Sequence, residues 1–157
     1  MANFQPLNNS ALYILGKLIK QYELKPPFLD IGCGNGYVSN FLGHKGWNGK
    51  AIDFSKEAIK LAKKKLISFK KIKIEQRNIT TEKGQYKTVL MFDLLEHIQN
   101  DQVFLNKISR LILPKGFLVI AVPSNPKEWR WDDEFYGHYR RYTKKALIKK
   151  LEISKLK

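Results

Sequence analysis

Residues 28–37, Phe-Leu-Asp-Ile-Gly-Cys-Gly-Asn-Gly-Tyr, set three glycines at alternate positions, Gly32, Gly34 and Gly36, behind a short apolar run and an acid, Asp30. Bare backbone at a strand-to-helix turn directs N–H groups at an anion. Asp53 closes the next apolar run, 17 residues after Gly36. On a parallel neighbour strand its carboxylate lies beside the turn, where it accepts hydrogen bonds from both hydroxyls of a ribose. Together these features predict a nucleoside ligand that carries an anionic group. The competing reading is a tight turn with no ligand.

Two further groups offer chemistry. Asp93, Glu96 and His97 are spaced i, i+3, i+4, so on a helix they share one face. Two carboxylates and an imidazole suit a divalent ion; alternatively Glu96 and His97 cap or brace a short helix. The stretch 129–143, Trp-Arg-Trp-Asp-Asp-Glu-Phe-Tyr-Gly-His-Tyr-Arg-Arg-Tyr-Thr, mixes aromatics with acids and arginines, a composition unlike a core. His138 within it has the side chain best suited to take a proton near neutral pH. The plainer alternative is a surface loop whose arginines pair with Asp132, Asp133 and Glu134. Cys33 is read as packing inside the glycine turn.

The glycine spacing departs from the dinucleotide fingerprint G-x-G-x-x-G. With Asp30 in front, the form D-x-G-x-G-x-G resembles motif I of the class I S-adenosylmethionine-dependent methyltransferases. Residues 87–98 resemble motif IV of that family, and 113–124 resemble its L-x-P-G-G turn and fifth strand, with Lys115 where many members have glycine. Lys87 stands where an aspartate often follows the aromatic residue, here Tyr86. The likeness runs over roughly residues 25–150. It implies an enzyme with S-adenosylmethionine as cofactor. The implied cofactor contacts are Asp30, Gly32, Cys33, Gly34, Gly36, Asp53, Phe54, Asn78, Ile79, Phe92 and Asp93. Among these Asp30 serves the cofactor ammonium, and Asn78 and Ile79 stand where an acid usually meets the adenine amino group.

The resemblance extends to the acidic run. It is similar to the E-x-x-E-H ligands of ubiquinone-biosynthesis O-methyltransferases and of small-RNA 2′-O-methyltransferases, the latter adding a histidine after the fifth strand. Asp93, Glu96, His97 and His138 are the implied ligands of Mg²⁺ or a similar ion, which would lower the pKa of an acceptor hydroxyl. The 129–143 stretch resembles the G-H-x-R-R-Y segment of small-molecule methyltransferases. On that likeness it is a lid with Tyr136, Arg140 and Tyr142 on the acceptor, and with His138, His97 and Glu96 as catalytic candidates. The expected reaction is methyl transfer to a small molecule at oxygen. The competing functions are an RNA 2′-O-methyltransferase-like enzyme and a non-catalytic cofactor-binding subunit.

Positioning these residues requires alternating strands and helices. Helices are expected over 8–24, 36–46, 55–66, 101–113 and 143–153, with Ser55 and Thr143 as N-caps, and strands over 27–31, 49–54, 71–76, 87–92 and 116–122. Alternation of this kind predicts an α/β fold, a Rossmann-like doubly wound and mostly parallel sheet of about five strands. The resemblance gives the order 3-2-1-4-5, without the terminal antiparallel strands 6 and 7. The last apolar run is expected to be buried on both faces. With no strand beyond it, 116–122 becomes an open edge suited to self-association or a partner chain.

The chain has 157 residues, enough for one domain. Its single cysteine excludes an internal disulfide and a multi-cysteine zinc site and suits the cytoplasm. No apolar run approaches the roughly 18 residues of a membrane span, and the opening segment does not read as a secretory signal. Net charge is +15, from 29 basic and 14 acidic residues. Nucleic acid is one expectation from such charge, but the cations are mostly dispersed lysines, which read as a solvated surface.

Overall fold

The structure, a computed structural model, describes residues 9–156. The opening segment, with the first residue of the helix expected over 8–24, lies outside the described residues. Helix α1 (Asn9–Gln21) precedes β1 (Phe28–Ile31), α2 (Tyr37–His44), β2 (Gly49–Asp53), α3 (Lys56–Lys65) and β3 (Ile72–Gln76). The chain continues through β4 (Tyr86–Phe92), α4 (Asp101–Ser109), β5 (Ile112–Ala121), α5 (Trp131–Phe135) and α6 (Lys144–Ile153). The five strands form one parallel sheet in the order β3-β2-β1-β4-β5, as expected.

Strand β1 is the axis of the molecule, and all four of its residues are buried. Phe28 faces one core with Leu42, Ile59 and Leu66 from the α2 and α3 side. Leu29 and Ile31 face the other with Val89, Ile108 and Leu111. Each such side chain contributes about 1.5–3 kcal/mol by leaving water. A third cluster, Met91, Leu95, Leu105 and Tyr142, joins the end of β4 to α4 and α6. Ser55 and Thr143 cap α3 and α6, their hydroxyls accepting from the amides of Ala58 and Ala146.

Three expectations are corrected. Helix α4 stops at Ser109, and β5 begins at Ile112, before the turn that was expected to precede it. Lys115 has φ +59, the left-handed conformation that favours glycine, the residue that many members of the resembled family have there. The register against β4 shifts between Tyr86 and Thr88, and the Lys87 ammonium donates to the Pro114 carbonyl at 2.9 Å. None of the ten β5 residues is fully buried, against the expected two-sided burial. The strand is an edge, and among the described residues no strand pairs with its outer side. No helix of the described residues is long and apolar enough to cross a membrane.

Candidate active site

The glycine turn leaves the carboxyl end of β1 with Gly32, Gly34 and Gly36 all at positive φ, 68°, 53° and 80°. Part of the demand for glycine is internal. A Cβ on Gly36 would meet Leu66 at 3.0 Å and Ala62 at 3.2 Å, and one on Gly32 would meet Leu94 at 3.1 Å. The amides of Gly32 and Cys33 donate to the Ile52 carbonyl, which fastens the turn to β2. Cys33 is buried, and burial raises its thiol pKa, so it packs there as expected from its position.

Asp53 meets this turn directly. Its Oδ2 accepts from the Gly34 amide at 3.0 Å, and its Oδ1 from the Ser55 amide at 2.9 Å. A carboxylate oxygen accepts more than one hydrogen bond, so both oxygens keep acceptor capacity. Phe54 beside it exposes 77% of its surface, an aromatic face available to a flat ring. Asp30 is buried at the root of the turn and accepts from the Ser39 hydroxyl at 2.6 Å. Burial raises its pKa to about 6, against the Ser39 hydrogen bonds that hold it down. Asn78 follows β3 in the expected place, but its side chain is already engaged. Its side-chain oxygen already accepts from the Thr80 amide and hydroxyl, both at 2.9 Å, so it caps its own turn. Ile79 begins that 3-10 turn, and its side chain packs on the core that includes Ile52.

The acidic run does not form an α-helix, so its three residues do not share one helical face. Phe92 ends β4 partly buried, Asp93 turns through φ +46, and Leu95–His97 make a 3-10 turn. Asp93 therefore stays exposed and outside the group that assembles. Glu96, His97 and His138 each bring a ligand-type atom within 4.8 Å of the others. The His97 and His138 rings meet edge to face, their centroids 4.6 Å apart. Glu96 is buried and neither carboxylate oxygen has a hydrogen-bond partner. Burial pushes its pKa up to about 7, with the charges of Asp93 and Asp133 adding to the rise. Burial and the neighbouring His138 lower that of His97.

The segment after β5 folds over this group and is pinned at several points. Tyr139 donates its amide to the Glu96 carbonyl at 2.8 Å. Arg140 donates to the carbonyls of Ile98 and Gln99 and pairs with Asp101 at 2.8 Å. Tyr142 is buried, and its hydroxyl donates to Asp101 at 2.9 Å. Arg140 and Tyr142 therefore anchor the loop, a correction to the expectation that they contact an acceptor. Tyr136 remains open, between the rings of Phe135 and His138. Of the arginine–acid pairs expected within the loop, Arg141 meets Asp133 at 2.8 Å, and Arg130 stands 4.0 Å from Asp132.

Residues 12–153 match the family model described as a methyltransferase domain. The chain belongs to the class I S-adenosylmethionine-dependent methyltransferase family. It is 30% identical over 108 residues to the ubiquinone biosynthesis O-methyltransferase of Dechloromonas aromatica (strain RCB), covering 64% of this chain and 46% of that protein. The chain spans about half the length of the curated relatives it matches. The fold is shared with the N-methyltransferase NodS of Bradyrhizobium japonicum WM9, solved with S-adenosylhomocysteine, at TM-score 0.76 and 16% identity, over 96% of this chain and 76% of that one. It is also shared with magnesium protoporphyrin IX methyltransferase of Synechocystis PCC 6803, at TM-score 0.75 and 17% identity, over 92% and 71%.

Within this methyltransferase fold, two residues near the site escaped the sequence reading. Ser39 on α2 is the partner of Asp30, and its place one helical turn beyond Gly36 is the signal that points to it. Asp133 is the partner of His138, at 2.8 Å, as well as of Arg141, whereas its sequence position suggests only an arginine partner. A cleft of about 790 Å³ lined by Lys50, Arg77 and Glu82 lies elsewhere. Its buried Glu82 already accepts from Lys50, Tyr86 and the Gly84 amide, so that cleft is a satisfied ion-pair network.

Proposed function

We propose that this chain carries the transfer of a methyl group from S-adenosylmethionine to an oxygen of a small-molecule acceptor. The observation that carries the reading is the contact of Gly34 with Asp53, which puts a diol acceptor against a turn of bare peptide groups. The turn fits such a cofactor: Asp53 has acceptor capacity for two hydroxyls, Phe54 presents an exposed ring, and Asp30 is a buried carboxyl at the other end. Bound there, S-adenosylmethionine supplies an already activated methyl for in-line attack.

The protein's own part is placement and proton transfer. Holding an acceptor in line supplies roughly 7–11 kcal/mol in favourable cases. His138 takes the proton of the acceptor hydroxyl, and Glu96, with its raised pKa, is matched to exchange protons near neutral pH. The name of the Dechloromonas relative supports oxygen as the attacked atom. The exposed Trp131 and Phe135 beside Tyr136 give an apolar approach to the same place.

A second reading is favoured by the two unpartnered Glu96 oxygens. Glu96, His97 and His138 would hold a divalent ion, which lowers the pKa of the acceptor hydroxyl. One carboxylate with two imidazoles suits zinc or iron better than magnesium, which prefers an all-oxygen set. The Mg²⁺ expectation, with Asp93 as a ligand, is therefore replaced by a nitrogen-rich set.

The test is S-adenosylhomocysteine production against hydroxylated aromatics, amines and RNA, with and without chelator. The proposal expects product with a hydroxylated small molecule and loss of turnover in His138→Ala. Methylation of RNA alone would overturn it, as would cofactor binding without turnover on any small acceptor. Turnover unchanged in excess chelator removes the metal reading and leaves the proton-transfer one.

A further inference from the structure

We infer that Asp133 is the positioning residue for His138, holding its imidazole in one orientation and one tautomer. The inference rests on the role given to His138 above and extends it. His138 is tied to Asp133 twice: Nδ1 lies 2.8 Å from Oδ1, and the His138 amide donates to the Asp133 carbonyl at 2.8 Å. Asp133 is itself immobilised. Its Oδ2 accepts from the Arg130 amide at 2.8 Å, which starts α5, and its Oδ1 also accepts from the Arg141 guanidinium at 2.8 Å. The carboxyl is buried among these donors.

An ionised carboxylate only accepts hydrogen bonds, so the proton of the neutral ring must sit on Nδ1. The lone pair is then on Nε2, the nitrogen left to meet an acceptor proton or an ion. A histidine that acts by either route needs its second nitrogen held in this way. Asp133 is thus a carboxylate aligned with the imidazole of the site, fixed by its own amide and arginine contacts, and reached through a five-residue spacing across the end of α5.

The structural duties of Asp133 and its effect on His138 separate experimentally. In Asp133→Asn the amide is able to donate to Nδ1, which favours the Nε2–H tautomer. In Arg141→Gln the carboxylate stays and only its arginine partner is lost. Nitrogen-15 NMR of the neutral His138 side chain reads the tautomer directly, and steady-state kinetics read turnover on the hydroxylated acceptor that the screen yields.

The expected result is Nδ1–H in the wild type and in Arg141→Gln, a switch to Nε2–H in Asp133→Asn, and partial restoration in Asp133→Glu. Turnover in Asp133→Asn should fall about 10–100-fold with unchanged cofactor KM. Nε2–H in the wild type overturns the inference whether or not any variant folds. An unchanged tautomer in Asp133→Asn also overturns it, as does an equal loss of turnover in Arg141→Gln. The NMR reading needs no acceptor. A failure of the proposed methyl transfer is therefore distinct from a failure of this inference.

Discussion

The backbone amide of Gly34 donates to Oδ2 of Asp53 at 3.0 Å, across the boundary between the first turn and the second strand. Asp53 also accepts from Ser55 at the start of α3, so one carboxylate joins the glycine turn, β2 and a helix entry. The register makes this possible: Ile31 of β1 pairs with Ile52 of β2, and the two strands end side by side. The amides of Gly32, Cys33, Gly34 and Gly36 are all bonded within the protein, so the turn offers a ligand close approach to its backbone and not a row of free N–H groups.

Asp30 makes this site costly. A buried acid whose folded pKa rises from 3.8 to about 6 destabilises the fold while it is ionised. The cost is absent below the unfolded value, grows between it and about 6, and is complete above. Two units correspond to about 3 kcal/mol. Asp30→Asn should therefore be more stable than the wild type above about pH 7, with the difference shrinking toward about pH 4. Urea unfolding at both pH values measures it. The same variant should bind cofactor more weakly, because the carboxylate at the root of the turn is gone.

Asp101 ties the loop over the site to the body. Its oxygens receive Tyr142, Arg140 and Lys150, at 2.9, 2.8 and 2.8 Å. Burial alone would raise its pKa, but those hydrogen bonds outweigh it and hold it low. Its contribution is thus present above the ordinary carboxylate range and lost as pH falls through the lowered value. Asp101→Asn should cost about 1–3 kcal/mol of stability at neutral pH. Turnover should fall more than cofactor affinity, since the loop loses its anchor. Thermal unfolding and steady-state kinetics on one preparation give both numbers.

Lys115 holds a left-handed backbone with a side chain that disfavours it. Lys115→Gly should stabilise the fold by up to about 1 kcal/mol, the relief of strain being partly offset by the entropy of glycine. Lys115→Val should destabilise it. Denaturant midpoints of the two variants should move in opposite directions, without a change in cofactor binding.

The sheet was legible in the sequence because its signals are local. Short apolar runs alternate with capped amphipathic segments, and Ser55 and Thr143 stand at the helix starts where their hydroxyls are used. The pairing of Asp53 with the glycine turn followed from parallel neighbours. The open edge at β5 was read from the sequence, but the partial exposure of its faces was not, because an apolar run reads the same whether or not both faces are covered. The grouping of Glu96 with both histidines was expected from the family resemblance, not from the spacing of the residues alone. That grouping depends on the left-handed turn at Asp93 and on loop contacts such as Tyr139 to Glu96, which are distant in sequence. Arg140 and Tyr142 were read as acceptor contacts because their types suit binding, whereas their partner Asp101 lies about 40 residues away.

Isothermal calorimetry with S-adenosylmethionine and S-adenosylhomocysteine, on the wild type and on Asp53→Ala, tests the central claim most directly. The account predicts saturable binding of both nucleosides to the wild type. It predicts a loss of at least about tenfold, or about 1.4 kcal/mol, in the folded variant. A folded wild type that binds neither, or a variant that binds as tightly as the wild type, would contradict it.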